Sequence, residues 1–213
     1  MPSPRYDLHV HTHASQGTLA PRDVVALAVD RGLAGIAITD VHTVSGIHEA
    51  TVIAPALGVR VVPGVKLACV DPDGHELHML GYFIDRDHPQ CRELIMRASS
   101  AANAVSMADV IRGIHACGGA AVLAHPGCAR GGLNIEQVQR AIAAGIDGIE
   151  VDHPDHSEDD IRICAALADE HNLVQTAGSD DHDAAGSRLG CRTVSATTLD
   201  DLEARAARWS EAQ

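Results

Sequence analysis

Tyr6-Asp7-Leu8-His9-Val10-His11 reads as a β-strand that ends in two imidazoles. Side chains alternate along a strand, so His9 and His11 point to the same side. The same arrangement recurs down the chain. Gly35–Thr39 (GIAIT) is a second strand, followed by Asp40 and His42. Ala120–Ala124 (AAVLA) runs into His125, Gly148–Val151 leads to His153 and His156, and Val174–Ala177 leads to Asp180 and His182. Helix-like stretches lie between them: Pro21–Arg31, Ile135–Ala144, Glu158–His171 and Leu199–Trp209. Val59–Val62 is a further strand. The turn sequence Asp71-Pro72-Asp73-Gly74 predicts a hairpin of Val65–Val70 and His75–Phe83. Pro89 to Cys117 is Ala-rich and mostly helical. Repeated β-then-α units predict parallel strands joined by crossover helices. In a β/α barrel the C-terminal strand ends converge on one face, where the active site lies. The expected architecture is therefore α/β, a single TIM-like barrel domain over residues 1–213, with histidines and carboxylates gathered at one mouth.

Composition narrows the function. The chain has 213 residues, enough for one domain with a real core. Its formal charge of -13 disfavours duplex nucleic acid as a partner, because phosphate neutralisation needs the opposite sign. With one Trp, two Tyr and one Phe there is little to build a base-stacking platform. No apolar run approaches the roughly 18 residues of a membrane span. The N-terminal segment has no signal-peptide pattern, so the expected address is the cytoplasm. Six scattered cysteines without a C-x-x-C pair read as reduced, mostly buried thiols. Neither a G-x-S-x-G elbow nor a Walker loop is present, which disfavours serine-hydrolase and P-loop chemistry.

A mixed His/Asp cluster suits a divalent metal, with Mn, Zn and Fe all compatible. Such an ion polarises a phosphoryl oxygen and generates hydroxide near neutral pH. The series Asp7-Leu-His9-Val-His11-Thr, Ile38-Thr-Asp40, Pro63-Gly64-Val65, His75-Glu-Leu-His78-Met-Leu-Gly81-Tyr82, Leu123-Ala-His125-Pro126-Gly127, Gly148-Ile-Glu150-Val and Gly178-Ser-Asp180-Asp-His182 resembles the PHP (polymerase and histidinol phosphatase) family. The nearest branch is that of bacterial phosphoesterases acting on nucleoside 3′,5′-bisphosphates and short oligonucleotides. The resemblance implies a distorted (β/α)7 barrel with two or three metals at the strand ends; given the chain's departures from the family pattern, one to three divalent ions per chain are expected. It also implies His9, His11 and Asp180 as ligands of a first metal, His78 and His125 of a second, and His182 of a third.

The chain departs from the family pattern at several positions. Gln16 stands where the family has an Asp, and Val41 interrupts the usual T-D-H-D after the second strand. His13 and His42 are the nearby residues that could compensate. Lys66 stands where a bridging Glu is expected. It admits three readings: an ammonium replacing one cation and holding Asp180, a carbamylated bridge, or a side chain turned away from an impaired site. Only Phe83 to Gly119 occupies the place of a larger inserted subdomain in that branch, so substrate choice does not carry over.

The expected function is that of a metal-dependent phosphoesterase acting on a phosphomonoester or terminal phosphodiester of a small metabolite or nucleotide. His156, His42 and Lys66 are candidate catalytic residues, and Arg130 and Ser157 candidate substrate contacts. Glu150 is a candidate support for the ligands. The competing expectations are a catalytically degraded relative that binds a phosphorylated ligand or a protein partner, and a one-metal hydrolase of another bond.

Overall fold

A computed structural model of the protein describes residues 3–100, 104–128 and 132–211. Seven strands form the wall of a barrel: β1 (Arg5–Val10), β2 (Gly35–Ile38), β3 (Arg60–Val70), β4 (Glu76–Tyr82), β5 (Ala120–Leu123), β6 (Gly148–Asp152) and β7 (Val174–Ala177). A two-residue strand, β8 (Val194–Ser195), pairs antiparallel to β1 on its outer edge, giving the order β7-β6-β5-β4-β3-β2-β1-β8. The wall nearly closes where Val10 bridges Asp181 just past β7. Pairing is parallel for β1-β2, β2-β3, β5-β6 and β6-β7, as crossover helices require. The exception is the hairpin: β4 runs antiparallel to both β3 and β5.

Among the described residues seven helices clothe the barrel: α1 (Pro21–Asp30), α2 (Ser45–Leu57), α3 (Pro89–Ala98), α4 (Met107–Ala116), α5 (Ile135–Ala143), α6 (Glu158–Glu170) and α7 (Ala196–Glu211). Two apolar layers seat them. Leu67, Met79, Leu123 and Ile149 face Ile111, Ile114 and Val138, while Val10, Ile36 and Ile38 face Val24, Val25, Ile47 and Ala50. A third cluster fills the lower barrel, where Leu8, Val62, Leu80, Val122 and Tyr82 meet Leu199 and Leu202 of α7. α7 thus lies against the end of the barrel remote from the histidines.

Two features differ from the sequence expectation. The third strand and the first arm of the hairpin are one continuous strand, β3, running through Pro63 and Gly64. Pro63 accepts a hydrogen bond from the Phe83 N–H and pairs with Ile38, so its missing N–H does not break the strand. α2 was not anticipated. Its N-cap, Val44, makes no side-chain capping bond and Pro55 lies inside it, so only the left-handed Gly58 at its C-terminus marks a boundary. The Ala-rich stretch is helical as expected, in two pieces, α3 and α4. Four cysteines are buried and all six are free, with Cys128 half-buried and Cys191 exposed. Among the described residues no helix is long and apolar enough to cross a membrane.

Candidate metal centre

Two bulges aim the site residues. Between Asp7 and Val10 the register of β1 against β2 slips by one residue, and β6 slips against β7 between Glu150 and Asp152. A bulge lets adjacent residues share a face. Leu8 therefore packs in the lower core while His9 and His11 both turn to the barrel mouth. Gly178 lets β7 lie against β1 there, for a Cβ on it would sit 2.6 Å from His9 N.

Asp180, just past β7, is the focus. Its Oδ1 lies 2.9 Å from His9 Nε2, 2.9 Å from His11 Nε2, 3.0 Å from Lys66 Nζ and 3.2 Å from His182 Nε2. His153 Nε2 stands 3.6 Å from Oδ2. Burial alone would raise the Asp180 carboxyl, but the ring nitrogens of His11, His153, His182 and His9 outweigh it and hold it far below the ordinary carboxylate range. Asp180 and His125 are also held at positive φ, 49° and 28°, a strained backbone of the kind that gathers at functional sites.

Behind the focus, Glu150 is fully buried and accepts hydrogen bonds from His9 Nδ1 and from the His125 N–H, both at 2.8 Å. Burial opposes its charge, yet His9, His153 and His125 bring its pKa down to about 2. Burial pulls His11 down to about 3 and His125 to about 2, and it lowers His78 as well. The His11 and His125 rings are therefore neutral at pH 7 and carry lone pairs. For His9, Glu150 outweighs burial and raises the pKa.

The donor set fits a divalent ion. With Nδ1–H directed to Glu150, the His9 Nε2 lone pair faces the Asp180 carboxylate without the alignment of a hydrogen bond, and the atom is buried with no partner. A lone pair against a carboxylate oxygen is repulsive unless a proton or a metal cation lies between them. Glu150 orients His9 as carboxylates orient metal-binding histidines elsewhere. Ligand atoms of His9, His125 and Asp180 gather within 4.8 Å, as do those of His11, Asp180 and His182, and of His9, Glu150 and His153.

The remaining sequence candidates fall in different places. His78 is 31% exposed, its ring edge-on to His125 at 5.3 Å and its Nε2 3.4 Å from Glu76. His182 stacks on His11 at 4.3 Å. His156 is buried, donating from Nδ1 to the Val151 carbonyl at 2.8 Å, with Nε2 unpartnered beside His153. Lys66 points into the cluster. His42 is bound to the Lys66 carbonyl through its own N–H, and its ring is not among those around Asp180. Ser157 Oγ is engaged in the capping box of α6 with Asp160, the ordinary use of a serine at that position. Arg130 lies outside the described residues. Asp40 accepts hydrogen bonds from the Thr12 N–H, Thr12 Oγ1 and Ser15 Oγ, so it fixes the loop after β1. Gln16 and His13 are exposed, and Val41 pairs with Lys66 along the backbone.

His153 was not among the expected ligands. Its Nδ1 accepts from the Asp155 N–H at 3.2 Å, so the ring proton sits on Nε2, a buried donor without a partner that faces Asp180. Its place just past β6, like that of His125 past β5, was the available sequence signal.

With this geometry in view, the PHP domain family matches residues 7–130, and the chain belongs to that family. The chain is 29% identical to the 5′-3′ exoribonuclease Rnm of Escherichia coli K12, over 83% of this chain and 85% of that one. It is 27% identical to the 3′,5′-nucleoside bisphosphate phosphatase of Chromobacterium violaceum, over 83% and 86%. The latter alignment runs over 249 positions, more than this whole chain, so that relative carries segments absent here. Among solved structures, a metal-dependent phosphoesterase assignment from Bifidobacterium adolescentis superposes with a TM-score of 0.85 at 25% identity, covering 96% of this chain and 97% of that one.

Proposed function

We propose that this chain is a metal-dependent hydrolase of phosphate esters, acting on a phosphomonoester or terminal phosphodiester of a small phosphorylated metabolite or nucleotide. The observation that carries the reading is the buried His9 Nε2, oriented by Glu150 and aimed without a hydrogen bond at Asp180. The names of the exoribonuclease and bisphosphate phosphatase relatives support the substrate class.

His9, His125 and Asp180 would hold a divalent ion, which would supply Lewis acidity toward a phosphoryl oxygen and acidify water near neutral pH. The protein does the rest. His153 Nε2–H, unpartnered at the centre, is a donor for a non-bridging phosphoryl oxygen. His156 has its Nδ1–H fixed on the Val151 carbonyl, so any second proton resides on Nε2, from which it passes to the leaving oxygen. A cavity of about 260 Å³ lined by Leu77, His78, His125, Cys128 and Gln137 adjoins the His125 side and gives the leaving group room.

The test is phosphate or nucleotide release from a nucleoside 3′,5′-bisphosphate and from a short 5′-phosphorylated oligoribonucleotide, with Mn²⁺ or Zn²⁺ supplied. Release that is abolished by EDTA and by Asp180→Asn is expected. Equal release with and without EDTA, or none on either substrate, overturns the proposal.

A further inference from the structure

Lys66 is the only lysine in the 213-residue sequence, and it is buried at the middle of the histidine cluster. β3 fixes it there: its N–H bonds the Asp40 carbonyl, its carbonyl accepts from His42, and it lies opposite Leu80 of β4. Its Nζ donates to Asp180 Oδ1 at 3.0 Å. An ammonium offers no lone pair, so this position is cation, not ligand.

His11 points the same way. Its Nε2 is hydrogen-bonded to Asp180 Oδ1 at 2.9 Å, while its Nδ1 is buried with no partner. A metal-binding imidazole needs an acceptor for its other N–H, as Glu150 provides for His9. His11 has none, so the arrangement that leaves no buried N–H unsatisfied puts its proton on Nε2, donated to Asp180. Oδ1 is then occupied by His11 and Lys66 together. The His11, Asp180 and His182 set is closed to a divalent ion, since the ion would meet a His11 Nε2 that carries its proton, with the ammonium beside it. The set of His9, His125 and Asp180 remains, because His9 Nε2 keeps its lone pair.

We propose that this centre holds a single divalent ion, with the Lys66 ammonium as a built-in second cation bound to the shared carboxylate. This rests on the reading of the cluster as a metal centre, but it concerns ion number and not turnover.

The test counts ions. Protein equilibrated with Mn²⁺ or Zn²⁺ and freed of excess is analysed for metal per chain, for the wild type, Lys66→Glu and Lys66→Met. One ion is expected for the wild type. Two are expected for Lys66→Glu, which supplies a carboxylate, and two for Lys66→Met, which takes the ammonium off Oδ1 and leaves His11 able to turn a lone pair to an ion; either variant suffices if the other fails to fold. Two or more ions in the wild type overturn the proposal, as do none, or a rise from one to two on adding bicarbonate, which would mark a carbamylated lysine. Variants that stay at one ion also overturn it. If the counts come out as expected but no phosphate ester is cleaved, the ion assignment stands and the proposed activity fails.

Discussion

Replacing Glu150 by Gln keeps the shape of the side chain and removes one charge. In the native site the two carboxylate oxygens each accept a hydrogen bond at 2.8 Å, one from His9 Nδ1 and one from the His125 N–H. An amide has only one acceptor. If the Gln oxygen faces His125, its NH₂ meets His9 Nδ1, which must then give up its proton. The His9 proton moves to Nε2, and the atom aimed at Asp180 ceases to be a ligand. If the oxygen faces His9, a buried N–H at His125 is left opposite an NH₂. Either outcome loses a charge-assisted bond worth about 1.5–3 kcal/mol. At roughly 2–4 °C per kcal/mol for a chain of this size, the metal-free protein should melt about 3–12 °C lower. Metal affinity should fall on the order of 10–100-fold, the usual effect of losing such an orienting carboxylate. Thermal unfolding in EDTA and calorimetric titration with Mn²⁺ or Zn²⁺ read the two effects separately. Unchanged affinity with a lowered melting point would show that Glu150 supports the barrel only and would refute the tautomer argument.

Asp7 ties the stability of the fold to pH. It is fully buried, and desolvation outweighs the bonds from the Ser179, Gly190 and His9 N–H groups, raising its pKa from 3.8 to about 6. The folded chain therefore holds this proton to higher pH than the unfolded chain, and stability present below about pH 4 is lost as pH rises through 6. That amounts to about 3 kcal/mol. Urea unfolding of the wild type and Asp7→Asn should show the variant gaining on the wild type by that order between pH 4 and pH 7; a constant difference contradicts the assignment. Tyr82→Phe removes the hydroxyl that donates to the Leu8 carbonyl at 2.8 Å in the lower core, and should cost about 1–2 kcal/mol in the same experiment with metal affinity unchanged. Gly178→Ala forces β7 away from His9, and should lower stability by about 1–3 kcal/mol and weaken metal binding together. A metal at about 100 times its Kd should stabilise the wild type by about 2.7 kcal/mol, seen as a higher melting point that EDTA reverses.

Much of the barrel could be read from the sequence because its signals are local. AAVLA before His125 is a short apolar run with a polar residue at one end, and that end is the mouth. The bulges at Leu8 and Val151 were not legible, because they arise from the match to the neighbouring strand and leave no mark in composition. α2 was hidden for a different reason: its buried face is Gly46, Ile47, Ala50 and Ala54, mostly small residues, and Pro55 reads as a breaker. At the site, His9, His11, His125 and Asp180 announce themselves by position, and the structure gathers them. The division of labour among them does not, since it depends on which ring nitrogen finds an acceptor: Glu150 for His9, none for His11 Nδ1, the Asp155 N–H against His153. Ser157 shows the converse, a residue whose local cap engages it away from any substrate role.

The most direct test of the centre is anomalous X-ray scattering from crystals grown with Mn²⁺ or Zn²⁺. The account predicts a peak at coordinating distance from His9 Nε2, the His125 ring and Asp180, with Lys66 Nζ still on Asp180 Oδ1. A peak away from His9 and Asp180, or none at saturating metal, would contradict it.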